Sequence, residues 1–385
     1  MRSGLTKLLH PVAGRPLISY VLRTARALRP DRFALVVSPG ARAQFAPVVD
    51  GLPIRWIIQR EALGTGHAAR RAASALKGFS GHVLVLAGDV PGITAATLRD
   101  FVAVCTRQAG PGGVLTAIRT VPTGYGRIVR DGGDAIERIV EERDASADEA
   151  AITEVNTGVL CCEAAWFLSA LNALTPRNAQ GEYYLTDLAR VAAQTGRPLR
   201  AVRAAASDEF VGVNSRAELA AATALMRRRI VDGHLAAGVS FVDPDRAYID
   251  ADVTIGVDTV IGPGCVLQGA TAIGARCVCD AGVVITDCRI GGDVHIKPYS
   301  VLEASRVRAG CVIGPFARLR PGARLDAGVH IGNFVEVKKS WLKRGVKANH
   351  LTYLGDATIG ERTNVGCGTI TCNYDGARKH PTTIG

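Results

Sequence analysis

The run His82-Val-Leu-Val-Leu-Ala-Gly-Asp89 closes an apolar stretch on a carboxylate. A continuous apolar run of this length reads as a fully buried strand, and in α/β sheets ligands gather beyond the carboxyl ends of the strands. Asp89 is therefore a candidate for holding a cation or a polar ligand, with helix capping as its competing role. His350, one of eight histidines, lies in the stretch NHLTYLGD. Taken alone, it reads as a surface or packing residue rather than as a base. The ten cysteines contain no CxxC pair, and Cys161-Cys162 and Cys277-x-Cys279 are too closely spaced for a disulfide framework. They read as buried free thiols in a reduced compartment.

The elements that must position these residues fall into two textures. Leu17, Ile18, Val21, Leu22, Ala25 and Leu28 recur at helical spacing, Phe33 to Val37 follows as a short buried strand, and Thr94 opens a further helix carrying Leu98, Phe101 and Val102. This alternation, up to about residue 210, predicts a doubly wound, Rossmann-like α/β domain. Ser215 and Glu218 form a capping box that starts a connecting helix running to about Val231, and Asn214 precedes that cap as a loop residue.

Beyond it the period changes. An aliphatic residue returns every six positions through Ile249, Ile255, Ile261, Leu267 and Ile273, Cys279 takes one turn, and Ile285 resumes the series. One residue drops out before Ile290, Ile296 and Leu302, and another before Val307, Ile313, Leu319, Leu325, Ile331 and Val337. Period six belongs to neither an α-helix nor an alternating strand. It fits a parallel β-helix of triangular coils with the aliphatics inside. The expected domains are residues 1–213, a linker over 214–248 and the β-helix over 249–385.

At 385 residues, 48% hydrophobic and 21% charged, the chain has ample material for two or three cores. It has neither a signal-peptide pattern nor an apolar run long enough to span a membrane, which makes the cytoplasm the expected location without integral membrane association. The net charge of +11 suits acidic ligands such as nucleotides, sugar phosphates, coenzyme A or nucleic acid, and equally well a solvated surface of dispersed arginines. With 5% aromatic residues and no RNP-like, zinc-finger or helix-turn-helix pattern, nucleic acid is not an expected partner.

Ten motifs occur in the order seen in one bacterial enzyme family: LGTGHA (63–68), LAGDVP (86–91), PTGYGRI (122–128), EVNTG (154–158), NAQGEYYLTD (178–187), GVN (212–214), GPFARLRPGA (314–323), HIGNFVEVKKS (330–340), NHLTYLGDA (349–357) and GTITCNYDG (368–376). Through nearly its whole length the chain resembles the bifunctional N-acetylglucosamine-1-phosphate uridyltransferases and glucosamine-1-phosphate N-acetyltransferases. That resemblance implies a nucleotidyltransferase domain followed by a left-handed β-helix of hexapeptide repeats. It also implies synthesis of UDP-N-acetylglucosamine, for cell-wall and lipopolysaccharide production, from glucosamine 1-phosphate, acetyl-CoA and UTP.

The resemblance also assigns residues. Lys7 is the lysine near the phosphates, while Asp89 and Asn214 hold Mg2+. Gln59, Gly64 and Thr65 match the uracil and nucleotide positions, and Gly126, Glu141, Asn156 and Thr157 match the sugar-contacting set. Ala87 departs from the family, which often carries an aromatic there. In the β-helix His350 is the base that takes a proton from the sugar amine. Arg320 and Lys338 grip the sugar phosphate, each one residue beyond an inward aliphatic and so expected to point outward. Tyr353 and Asn364 match further sugar contacts, and Cys367, Asn373 and Tyr374 match the acetyl-CoA site, Cys367 replacing a more usual alanine. Glu336 is expected to orient or tune the site.

In the family a strand and a loop of the form L-A-A-G-x-G-T-R precede the Met-Arg-Ser position, and further coils and a basic tail follow. The expectation is thus a chain truncated at both ends, impaired in both activities, that still forms a homotrimer. A non-catalytic trimeric remnant that binds sugar nucleotides is the alternative.

Overall fold

In a computed structural model, which describes residues 1, 3–49, 51–107 and 110–385, the chain divides into two compact units. One comprises Met1–His10 with Pro16–Ala222, the other Pro11–Arg15 with Thr223–Gly385.

In the first unit the helix Leu17–Arg26 buries Leu17, Ile18, Val21 and Leu22, the face that its apolar spacing predicts. Phe33–Val37 pairs in parallel with Ile54–Ile58 as a sheet of its own. The larger sheet is mixed. Arg200–Arg203 runs parallel to Gly112–Ile118, which pairs antiparallel with the ten-residue strand Glu154–Glu163. The other edge of Glu154–Glu163 takes His82–Val85 and, through Val155, Arg127 of the strand Arg127–Arg130. This is the expected α/β class with an antiparallel centre.

The run 82–89 departs from its expectation. Its strand ends at Val85, and all four strand residues are only half buried. The physical reason is one-sided pairing: among the described residues its sole sheet partner is Glu154–Glu163. Phe33–Val37, likewise paired on one edge, buries only Val37 fully. Thr94 caps the next helix, Ala95–Arg107, its Oγ1 accepting the N–H of Thr97.

The capping box before the connecting helix forms as expected. The N–H of Glu218 donates to Ser215 Oγ at 3.1 Å, and that of Ser215 donates to Glu218 Oε2 at 2.7 Å. The helix runs over Arg216–Ala236, past the expected end near Val231.

The second unit is the left-handed parallel β-helix. Its first rung, Ser240–Phe241 paired with Val260–Ile261, lies ahead of the expected start at Ile249. Three faces repeat up the stack. The first runs from Tyr248–Ile249 to Arg318–Leu319 and the ends of His330–Lys338 and Lys347–Gly355; the second runs from Thr254–Ile255 through Arg324–Leu325 and Ala357–Ile359 to Thr382–Ile384; the third runs from Ser240–Phe241 to Asn364–Val365. The inward aliphatics are almost wholly buried, except Ile255 near the first coil, and Cys279 takes its turn in the core. The two dropped residues are absorbed where the first face turns into the second, by Asp287 and Ala304 in left-handed conformations. The core cysteines are inert: burial pushes Cys265, Cys288 and Cys311 up to about 11. Among the described residues no helix is long and apolar enough to cross a membrane.

Candidate functional sites

In the first unit the short turn Lys7–Leu9 packs its Leu8 and Leu9 against the core cluster that includes Ile18 and Leu22. A Cβ on Gly88 would stand 3.2 Å from Leu8 Cδ1, so glycine before Asp89 lets the turn approach the Asp89 loop. Lys7 Nζ consequently donates to Asp89 Oδ2 at 2.6 Å and to Asn214 Oδ1 at 2.8 Å. The N–H of Val213 donates to the carbonyl of Asp89 at 3.0 Å. Glu218 Oε2 accepts the N–H of Asn214 at 2.8 Å as well as that of Ser215. Burial alone would push the Glu218 carboxyl up, but those donors outweigh it, and it stays below its ordinary value as a charged clamp.

One ammonium thus gathers the two oxygens expected to hold a metal ion. Because both converge on a single cation-sized position, the donor set fits a hard divalent ion. Among the described residues no cluster of three or more His, Cys, Asp or Glu could hold a metal. Two protein oxygens leave the rest of the shell to phosphate and water.

Gln59, Gly64 and Thr65 form a second group. Gln59 Nε2 donates to the Gly64 carbonyl at 3.2 Å, and Thr65 Oγ1 accepts the N–H of Leu185 at 3.1 Å. Gly64 has φ +96, and a Cβ there would stand 2.6 Å from the Tyr183 carbonyl, so only glycine fits. The third group is Gly126, Glu141 and Asn156. Thr186 Oγ1 donates to Glu141 Oε1 at 2.9 Å, the N–H of Asn156 donates to the Gly126 carbonyl at 2.8 Å, and Asn156 Oδ1 accepts the N–H of Gly158 at 2.9 Å. Burial holds the Glu141 carboxyl above its ordinary value. Segment 183–186 ties the second group to the third, and Ala87, whose Cβ lies 3.4 Å from where one on Gly158 would stand, ties the Asp89 loop to the third. Thr157 differs from its neighbours: it is buried, and its hydroxyl donates to the Leu115 carbonyl at 2.7 Å. Its side chain faces the sheet, its hydroxyl committed to that carbonyl.

In the β-helix, Arg320 and Lys338 follow the buried Leu319 and Val337, which are paired one coil apart, and both point outward as expected. Arg320 Nη1 donates to Glu336 Oε1 at 2.9 Å. Tyr353 stacks in register on Glu336, and its hydroxyl occupies the space that a Cβ on Gly355 would need, next to Lys338 in the ladder. His350 stands at the corner where the third face meets the first, in register with Asn333. Its ring is exposed and makes no hydrogen bond among the described residues. Asn364 lies on the third face, in register with Lys347. Cys367 is exposed. Tyr374 is exposed and its hydroxyl donates to the Gly376 carbonyl at 2.6 Å, whereas Asn373 is buried against Asp356. One chain therefore brings Arg320, Glu336, Lys338 and Tyr353 together, joins Asn373 to them through Asp356, whose N–H donates to the Lys338 carbonyl at 3.0 Å, and places Asn364 on another face.

A family model for the MobA-like NTP transferase domain matches residues 1–230. The bifunctional protein GlmU of Pelobacter propionicus is 49% identical over 385 residues, covering 100% of this chain and 84% of that protein. The same protein of Trichlorobacter lovleyi is 47% identical with the same coverage, and that of Enterococcus faecalis 44% identical over 83% of its length. The chain belongs to the bifunctional GlmU family. It is an enzyme with a nucleotidyltransferase part and an acetyltransferase part.

Several residues at these sites escaped sequence reasoning. Glu218 was legible as a cap, yet not as the clamp on Asn214. Thr186 anchors Glu141 from 45 residues away, and no local pattern joins them. Asn333 buries an Oδ1 that finds no partner among the described residues beside the His350 corner, and only the fold of two coils places it there.

Proposed function

We propose that the chain acetylates glucosamine 1-phosphate with acetyl-CoA and then transfers UMP from UTP to N-acetylglucosamine 1-phosphate, giving UDP-N-acetylglucosamine. The observation that carries this reading is the meeting of Lys7, Asp89 and Asn214 at hydrogen-bond distance in the unit that matches an NTP transferase.

In uridylyl transfer an oxygen of the sugar phosphate attacks the α-phosphorus of UTP in line and pyrophosphate leaves. The main demand is neutralisation of the charge on the transferring group. Lys7 supplies one positive charge. Asp89 and Asn214 would hold magnesium, which when bound supplies more. Glu141 and Asn156 hydrogen-bond sugar hydroxyls and the acetamido group, with Glu141 fixed by Thr186.

In acetyl transfer the sugar amine attacks the thioester carbonyl, its nitrogen loses a proton to His350, and His350 returns that proton to the departing sulfur, so that CoA leaves as the thiol. Arg320 and Lys338 present two adjacent cations to the phosphate, with Glu336 holding the Arg320 guanidinium in place. Asn364 and Lys338 stand on faces that meet at the His350 corner, so a site that uses both is completed when a second copy packs against that corner. Tyr299, Phe316 and Phe334 support this arrangement. They stack at 5.4 and 5.7 Å along the same corner while 57%, 49% and 57% exposed, and Leu351 continues the column. We take the assembly to be a homotrimer working in the cytoplasm.

Two variants test the assignment. Asp89→Ala should abolish UDP-N-acetylglucosamine formation and spare CoA release, and His350→Ala should do the reverse. A variant that loses both activities while folded, or neither, would overturn it.

A further inference from the structure

The second face of the β-helix carries a ladder of arginines that neither reaction uses. Arg289, Arg306 and Arg324 are direct register partners on successive coils, with Ala272 below and Trp341 above. All three are exposed, as is Arg308 beside them. Parallel strands stand about 4.8 Å apart, and like charges placed directly opposite one another oppose folding. Among the described residues no carboxylate lies within ion-pair distance of any of the four. Acids are at hand nearby but engaged elsewhere: Arg276 takes Asp293 through two hydrogen bonds at 2.7 and 2.8 Å, and Asp326 accepts from Trp341 Nε1 at 2.9 Å.

Beside this ridge Gly274 and Gly291 follow the inward Ile273 and Ile290, because a Cβ on either would collide with the backbone of the next coil. The coils therefore stack closely beside Ala272 and Arg289, while Arg308 and Asp326 stand beside Arg306 and Arg324. The three guanidinium groups stand in one line across successive coils, and the carboxylates of an extended acidic chain laid along that line reach the guanidinium forks.

We propose that this face is a docking surface for an acidic, extended polypeptide segment of a partner protein, held by the ladder Arg289, Arg306 and Arg324. Single-stranded nucleic acid fits less well, because it calls for aromatic stacking platforms. Among the described residues the face offers Trp341 alone, with the Lys343 ammonium 5.6 Å from its ring centroid. A lipid surface would need a broad basic patch, and this ridge is a single file of arginines widened by Arg308 and bordered by the acidic Asp326.

The test is fluorescence anisotropy of a labelled oligo-glutamate peptide of about twelve residues on the full chain at several salt concentrations. Binding should be saturable, weaken with salt, and fall about tenfold when Arg289, Arg306 and Arg324 are all changed to Gln. Arg306→Gln alone should lower it by about threefold, which keeps the test open if the triple variant folds poorly. Removing the same charge elsewhere, through Arg26→Gln, Arg29→Gln and Arg71→Gln, should leave affinity within about twofold. Equal losses in the two triple variants would mean binding by net charge alone and would overturn the proposal. Tighter ladder-dependent binding of oligo-dT of equal charge, or of phosphatidylserine vesicles, would overturn the polypeptide as its source.

Discussion

The Lys7 ammonium holds both oxygens proposed for the metal, so lysine and divalent ion compete for one position. Serving the phosphates requires Lys7 to release Asp89 and Asn214. Lys7→Ala should therefore tighten Mn2+ binding by about threefold to tenfold, read by electron paramagnetic resonance, while uridylyl turnover collapses. An unchanged Mn2+ affinity would remove Asp89 and Asn214 as the donors. A second residue-scale prediction concerns Glu154, buried in the central strand, which accepts from Arg130 at 2.8 and 2.7 Å and from Thr116 at 2.6 Å. Burial alone would raise its carboxyl, yet these donors outweigh it and hold it below its ordinary 4.5. A carboxylate with a depressed folded pKa stabilises fully above its unfolded value, and that contribution is lost as pH falls through the folded one. Denaturant unfolding should thus show stability falling below about pH 4.5, and Glu154→Gln should cost about 2 kcal/mol at neutral pH and flatten that fall. A variant with the parent's acid profile would show that other carboxylates carry it.

At the scale of elements, the corner that bears His350 depends on a glycine one coil below. A Cβ on Gly332 would collide with the Asn349 carbonyl, because the long strands His330–Lys338 and Lys347–Gly355 run through this corner in register. Gly332→Ala should displace Asn349 and His350 and lower acetyl transfer by about tenfold or more, with uridylyl transfer retained. Gly310, at φ +69 with nothing within 4 Å of its missing Cβ, is the control. Gly310→Asn should leave both activities intact, because asparagine tolerates that backbone conformation. Paired assays of CoA release and pyrophosphate release decide it. Acetyl transfer at parental rates in the Gly332 variant would mean that the corner yields without moving its histidine.

At the scale of the whole molecule, the exposed stack of Tyr299, Phe316 and Phe334 predicts self-association at the corner beside the acetyl site. Phe316→Asp should convert a three-chain particle to a single chain in sedimentation velocity, and acetyl transfer should be lost with the assembly. His350→Ala should lose the same activity while the assembly persists. A Phe316→Asp trimer would move the interface to another face.

The sequence by itself determined the repeating parts. Period six dictates inward aliphatics because each short strand must aim one side chain into a coil, and the stacked Ile273, Ile290, Val307 and Leu325 obey it. The Ser215–Glu218 box and the Thr94 cap were legible for the same reason: their partners lie three residues apart. Asp89 was legible as a strand-end carboxylate, though the burial of its strand was not, since one-sided pairing is a property of the sheet. Only the tertiary structure decided that Lys7 meets Asp89 from 82 residues away and Asn214 from 207. It also turned the Thr157 hydroxyl into the sheet, set the buried Asn333 oxygen beside the His350 corner, and aligned three arginines that stand seventeen or eighteen residues apart in the chain. Local periodicity is written in neighbouring residues. Convergence of distant side chains depends on how turns, glycines and coils pack, and that is settled only when the chain has closed on itself.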